Sequence, residues 1–205
     1  MLHDLLWKSN LDLAHSCLAH PFVQALGDGT LKADLFRAFI AQDAFFLRAF
    51  LKAYALALGR SDDTETMTVF CEFIGGVLEE LKLHRVYAAE LGIDLGRVFP
   101  NAACRAYTDF LLRTAWHTSL GETVAAMTPC MRLYAYLGRE LAQKCGQQHP
   151  YRRWIETYRE EEFERLAGLL EALLDRVGTD TREVQDSYRY ALQCELNFFS
   201  GALGS

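Results

Sequence analysis

Proline is scarce in this 205-residue chain: four residues, under half of the usual share of roughly 5%. Because proline breaks helix interiors, its scarcity leaves room for long helices. The six cysteines, at 17, 71, 104, 130, 145 and 194, never come closer than fifteen positions, which excludes a C-x-x-C redox or zinc-knuckle motif. Apolar runs are short: none approaches the roughly 18 residues needed to span a bilayer. The opening Met1-Leu2-His3-Asp4-Leu5-Leu6-Trp7-Lys8 interleaves charge with apolar residues and offers no signal-peptide core. Positive charge is in deficit, 21 Lys and Arg against 27 Asp and Glu, and the net −6 argues against general affinity for nucleic acid or an anionic membrane. Neither phosphate-cradling glycine motif (G-x-x-x-x-G-K-[ST] or G-x-G-x-x-G) occurs, and G-x-S-x-G and H-E-x-x-H are also missing. There is no alternating β-branched run, no Asn-Gly hairpin and no internal repeat.

What is present is an apolar share of 51% with 23% charged residues, enough to bury one full core and too apolar for a disordered chain. The thiols read as reduced cysteines of a cytoplasmic protein. Apolar spacing is helical nearly throughout. It predicts helices over 2–19 (stopped by His20-Pro21), 31–59, about 64–91, 101–117, 120–145, 150–177 and 180–202. Thr30 or Asp34 would cap the second and Ser61-Asp62-Asp63 would open the third. Gly146 and Gly178 stand where C-caps belong. The expectation is an all-α, single-domain helical bundle over 1–203, with Gly204-Ser205 set aside as having the look of a cloning remnant. The acidic 156–175 region reads as a solvated helix face.

Three places break the apolar pattern. Asp43 shares a face with Leu35, Phe39, Phe46 and Phe50, at offsets 0, 4, 8, 11 and 15. Glu195 lies on a face with Tyr188, Leu192 and Phe199. Glu80 and His84 align with Phe73, Val77 and Tyr87. A carboxylate on an apolar face must be desolvated or line a cavity, and burying it unpaired is costly. Each alone could be a satisfied core polar residue. Three on separate helices point to one shared polar cavity. Cys130 follows Pro129 and precedes Tyr134 by one turn. Pro129 either opens a helix with Thr128 as N-cap, so that the dipole favours a thiolate at Cys130, or kinks a longer helix beside the thiol.

Taken in order, these residues resemble the TenA/thiaminase II family along nearly the whole chain. The blocks are His20-Pro21-Phe22-Val23 with Gly27-Asp28-Gly29-Thr30-Leu31, Gln42-Asp43, Glu80 with His84, and Ala106-Tyr107-Thr108. They continue through Pro129-Cys130 with Tyr134, His149-Pro150 before Trp154-Ile155-Glu156-Thr157-Tyr158, and Glu195 with Phe198-Phe199. The resemblance implies a fold like haem oxygenase, a homotetramer, and neither metal nor organic cofactor. The activity it implies is hydrolysis at the aminomethyl carbon of a 4-amino-2-methylpyrimidine in thiamin salvage, with thiamin cleavage as the second activity. It makes Cys130 the nucleophile and Glu195 the acid that protonates the departing amine. Asp43 would hold the pyrimidine's ring nitrogen and amino group. Phe46, Tyr107, Tyr134 and Tyr158 would form the substrate pocket, supported by Glu80 and His84. The chemistry fits: thiolate addition to an electron-poor ring splits a hard displacement in two, and a positioned acid spares the amine from leaving as an anion.

The chain departs from the family at Phe46, often tyrosine, at Phe199, often tryptophan, and at Cys194, where an aromatic is common. These changes touch the pocket wall and bear on substrate choice. Two other classes compete. Asp43, Glu80, His84 and Glu195 could form the carboxylate-histidine cluster of an iron-dependent helical oxygenase, although no Glu-x-x-His pair is present; His15 or His20 could serve a haem. A non-enzymatic regulator would use the acidic 156–175 face to dock a partner.

Overall fold

A computed structural model describes residues 1–204. They form ten helices and no strand: α1 (Leu2–Ser9), α2 (Leu11–Leu18), α3 (Pro21–Gly27), α4 (Ala33–Gly59), α5 (Thr64–Glu90), α6 (Ala102–His117), α7 (Leu120–Ala142), α8 (Arg152–Arg159), α9 (Glu161–Val177) and α10 (Arg182–Ala202). Helix starts follow capping chemistry. Asp63 accepts from the Thr66 amide at 2.8 Å, Asn101 from the Cys104 amide at 2.8 Å, and Ser119 with Glu122 closes a capping box on α7. None of these helices is long and apolar enough to cross a membrane.

The structure corrects the expected boundaries in several places. The 2–19 stretch is two helices, split at Asn10, whose side-chain amide donates to the Leu6 carbonyl at 2.8 Å. His20-Pro21 does not end structure but begins α3. The His20 ring nitrogen Nδ1 accepts from the Phe22 amide, and Pro21 occupies the first helical position, where its missing N–H costs nothing. Lys32, not Thr30 or Asp34, precedes α4 and makes no side-chain cap. The 150–177 segment breaks at Glu160, whose backbone is extended. Gly178 does end α9, whereas α7 stops at Ala142, short of Gly146.

Helix α7 is the axis of the bundle, packed by α8, α9 and α10 and by α6, while α4 packs on α5 and α6. Behind the site a continuous aromatic block fixes the spacing of these helices. Phe39 meets Phe22, Phe198 and Phe199 with ring centres 5.1–6.3 Å apart and Trp154 at 6.1 Å. One glycine sets the approach of α8. A Cβ on Gly138 would lie 2.5 Å from the Tyr158 carbonyl carbon and 2.8 Å from the Arg159 nitrogen. Backbone meets side-chain-free backbone there, and this brings Tyr158 against Tyr134 (ring centres 4.8 Å).

Gly138→Ala is therefore expected to push α8 away and destabilise the chain by about 1–3 kcal/mol, the usual cost of overpacking. Urea denaturation measures it. A loss below about 0.5 kcal/mol would show that the contact is not limiting.

Candidate active site

Six helices bring the singled-out residues to one place. Asp43 and Phe46 come from α4, Glu80 and His84 from α5, Tyr107 from α6, Cys130 and Tyr134 from α7, Tyr158 from α8 and Glu195 from α10. Asp43, Phe46, Glu80, Cys130, Tyr134 and Tyr158 line a cavity with roughly 360 Å³ of empty volume. Tyr107 and Glu195 stand at its back. Phe46 stacks on Phe50 (5.3 Å, 25°) and tilts against Tyr107 (4.8 Å), so the expected aromatic wall is present without a hydroxyl at position 46.

The charge of the site is organised by His84. Its Nδ1 faces the Glu80 backbone carbonyl at 3.1 Å and its Nε2 faces Asp43 Oδ2 at 2.7 Å. Both partners are acceptors, so both ring nitrogens carry protons and the ring is an imidazolium paired with the Asp43 carboxylate. Burial works against that cation, but the hydrogen bond and charge of Asp43, with Glu80 nearby, prevail and hold the His84 pKa up at about 9. With Oδ2 held, Asp43 Oδ1 is the atom left to meet a ligand.

No second cation balances the other two carboxyls. Burial, reinforced by the negative charge of Asp43, pushes Glu80 up to about 7, although Tyr158 donates to its Oε1 at 3.1 Å. Glu195 is only 2% exposed. Burial pushes it up to about 8 against the opposing hydrogen bond from Tyr107 (2.8 Å to Oε1) and the neighbouring Cys130 thiol. Cys130 is raised well above its ordinary value, first by burial and then by Glu195, Asp43 and Glu80. The cavity thus pairs a neutral thiol with a carboxyl that is mostly protonated at neutral pH and can exchange that proton with it.

Of the two readings of Pro129, the helix start with a primed thiolate fails and the longer helix holds. Pro129 lies inside α7, and Thr128 is no N-cap: its hydroxyl donates to the Val124 carbonyl at 2.7 Å within the same helix. The acidic segment is also not simply solvated. Glu171 is buried and accepts a two-pronged bond from Arg132 (2.7 and 2.5 Å), with Glu164 on the same guanidinium at 2.6 Å. His20 has both ring nitrogens engaged, with Phe22 and Ser200, and His15 is exposed on α2. Among the described residues no three His, Cys, Asp or Glu side chains are grouped to hold a metal ion, so Asp43, Glu80, His84 and Glu195 do not form the ligand set of the oxygenase alternative. Phe199 supports Tyr134 from behind (6.2 Å), and the Cys194 thiol is pushed up to about 12 by burial and Glu195.

Three wall residues escaped the sequence reading: Phe163, Met131 and Leu47. Phe163, edge-on to Tyr158 at 4.9 Å, was hidden in an acidic run, and Met131 follows Cys130 with nothing to distinguish it from a core methionine. The apolar phase of α9, which sets Phe163 on a line with Leu166, Leu170 and Leu173, is the signal that would have found the first.

The TENA/THI-4/PQQC family model matches residues 7–205. The chain is 35% identical over 206 residues to the mitochondrial bifunctional TH2 protein of Arabidopsis thaliana, covering 87% of this chain and 33% of that protein. It is 38% identical over 162 residues to the aminopyrimidine aminohydrolase of Halalkalibacterium halodurans, covering 76% of this chain and 72% of that one. The chain thus spans about a third of the plant relative's length. A TenA family transcription regulator from Silicibacter sp. TM1040 superposes with a TM-score of 0.92 at 25% identity, covering 98% and 96% of the two chains. A Shewanella denitrificans domain with a heme oxygenase-like fold superposes with a TM-score of 0.77 at 13% identity, covering 98% and 91%, which shows the fold alone.

Two stability experiments test the charge arrangement. Glu195 has a folded pKa near 8 against an ordinary 4.5. It therefore costs nothing below pH 4.5, and stability is lost as pH rises from there through 8, at about 1.4 kcal/mol per pH unit. Glu195→Gln keeps an acceptor for Tyr107, so its gain in melting temperature should be clearly larger at pH 8.5 than at pH 5; equal gains contradict the assignment. His84→Ala leaves Asp43 buried without its cation and should cost about 3–5 kcal/mol in urea denaturation. Adding Asp43→Asn should recover part of that loss, and no recovery would mean that the pair is not the cause.

Proposed function

This chain belongs to the TENA/THI-4/PQQC family, and from that premise we propose that it hydrolyses 4-amino-5-aminomethyl-2-methylpyrimidine, with thiamin as a second substrate, to the 5-hydroxymethylpyrimidine and the free amine, in thiamin salvage. The observation that carries the reading is the Cys130 thiol set beside the buried Glu195 carboxyl, in a cavity walled by Phe46, Tyr134 and Tyr158 and closed at one end by Asp43. A protonated aminopyrimidine presents a ring N–H and an amino N–H side by side, and in this reading Asp43 Oδ1, the oxygen His84 leaves free, accepts from that edge. Protonation also makes the ring more electron-poor and a better target for sulfur. The aromatic walls hold the ring in plane for attack.

One proton then serves both halves of the reaction. The thiol gives its proton to the Glu195 carboxylate as sulfur bonds to the ring carbon next to the one that bears the aminomethyl group. The C–N bond breaks, and the departing nitrogen takes that proton from Glu195 together with the bonding pair. Water adds its oxygen to the exposed methylene carbon while Glu195 accepts its proton. The C–S bond breaks, the ring regains aromaticity, and Glu195 returns the proton to Cys130. Activity needs ionised Glu195 to start, so kcat/KM should rise with pH to a plateau above about 8. Tyr107, through its bond to Glu195 Oε1, fixes the carboxyl between thiol and amine. In the same reading the working form is a cytoplasmic homotetramer, for which Leu78, Leu83 and Val86, exposed on α5, offer apolar contact surface.

The test is incubation with the aminomethylpyrimidine and with thiamin, comparing wild type, Cys130→Ser and Glu195→Gln. The expected result is product from the wild type, a fall of at least a hundredfold in kcat for each variant, and no rising limb in the residual pH profile of Glu195→Gln. Equal turnover by Cys130→Ser would remove the nucleophile, and no turnover of either compound by the wild type would remove the proposed reaction.

A further inference from the structure

The walls of the reacting cavity are closed: Phe46, Tyr134, Tyr158 and Glu195 are all buried. A ring-sized ligand therefore enters when one wall moves. Most of the walls are fixed. Helices α4, α7 and α10 are locked together by Phe39, Tyr134 and Phe199, and α8 is pinned to α7 where its backbone meets Gly138. Helix α5 differs, because it packs chiefly on α4 and only lightly on α9. Its two halves are also held unequally. Phe70 and Phe73 seat the first half in the core, with ring centres 6.1 and 5.1 Å from Tyr54. Beyond Gly76 its buried residues are Val77, His84 and Ala88. Gly75 and Gly76 lie between the halves, side by side in mid-helix. A Cβ on Gly75 would meet nothing within 4 Å, one on Gly76 would meet Leu166 Cδ1 at 4.0 Å, and neither residue has a positive φ. Neither close packing nor backbone conformation calls for glycine there. Gly168 of α9 is as unconfined, but it stands alone in a helix seated by Leu170, Leu173 and Leu174. An adjacent glycine pair is a weak point at which a helix bends.

The second half of α5 stands at the mouth of the site. Val77 and Glu80 line both the reacting cavity and the outer space between α5 and α9, on whose rim Glu79 and Leu83 are exposed. Three contacts tie this half to α8. Tyr158 donates to Glu80 Oε1 at 3.1 Å. Arg153 pairs with Glu90 at 3.7 Å and lies over the Tyr87 ring at 4.5 Å. Two of the three ties thus depend on one half-exposed side chain, and such surface pairs are individually weak. On the other side the 2.7 Å bond between His84 and Asp43 keeps the segment on α4. We propose that residues 77–90 are a hinged gate: α5 bends at Gly75-Gly76, rolls on α4 about the His84–Asp43 pair and parts from α8, which admits the pyrimidine and releases the product. The proposal rests on the function argued above for the identity of the ligand, whereas the hinge itself does not depend on it.

Two variants move the gate in opposite directions without altering the reacting cavity. Gly75→Ala with Gly76→Ala adds two methyl groups in open space and stiffens the hinge. Arg153→Ala removes two of the three ties to α8. Because the gate is shut both before and after binding, a change in its opening alters entry and exit equally. Stopped-flow tryptophan fluorescence with the 5-hydroxymethylpyrimidine product measures both rates. The alanine pair should lower the association and dissociation rate constants about tenfold each, with Kd unchanged. Arg153→Ala should raise both about threefold. Rates unchanged in both variants would overturn the gate. If the pyrimidine does not bind to the wild type, the substrate reading fails and hydrogen exchange tests the gate without a ligand. Slower exchange of 77–90 relative to 64–74 in the alanine pair, and faster exchange there in Arg153→Ala, would support it; exchange of 77–90 unchanged in both would overturn it.

Discussion

Asp43 and His84 form the ion pair at the bottom of the site, and the state of the neighbouring acids depends on it. Three carboxyls and a thiol converge on a space from which water is largely excluded, yet His84 is the one cation among them. Its charge is matched to Asp43 by a 2.7 Å bond, so a further anion must be held in low dielectric without compensation. Glu80 and Glu195 respond by keeping their protons into the neutral range, to about 7 and about 8. The thiol, with no positive neighbour to stabilise a thiolate, stays neutral.

Under the proposed function, that arrangement would let sulfur attack a ring without a reactive thiolate at rest. A helix N-terminus or an adjacent lysine would hold Cys130 ionised at all times and expose it to oxidation. In the proposed reaction the base that takes the thiol's proton is also the acid the leaving amine requires, and an elevated pKa suits both tasks near neutrality. The same burial that sets the pKa costs folding stability, offset by the aromatic block around Phe39 and by the buried Arg132–Glu171 pair that ties α7 to α9.

The fold class and most of the cavity were legible in the sequence because both follow from periodicity. A helix face that is apolar except for Asp43, Glu195 or Glu80 with His84 has only one way to satisfy those groups, and the three exceptions do meet. What could not be read was the partner of each group. Tyr107 with Glu195 and His84 with Asp43 are pairings between helices far apart in the chain, set by packing. The environment of Cys130 stayed open between two readings for a local reason: a proline marks a helix start as readily as an interruption, and only packing by neighbouring helices puts Pro129 in the middle of α7. Helix breaks at Asn10 and Glu160 were missed because neither residue interrupts the apolar pattern.

The central claim is that Glu195 holds its proton into the neutral range because it is buried with no cation to compensate its charge. Carbon-13 NMR of protein labelled at the glutamate carboxyls, titrated with pH, tests this directly. The account predicts a resonance with a midpoint near 8 that is absent from the Glu195→Gln protein. A Glu195 carboxyl titrating in the ordinary range near 4.5 would contradict it, and with it the single proton passed from Cys130 to the departing amine.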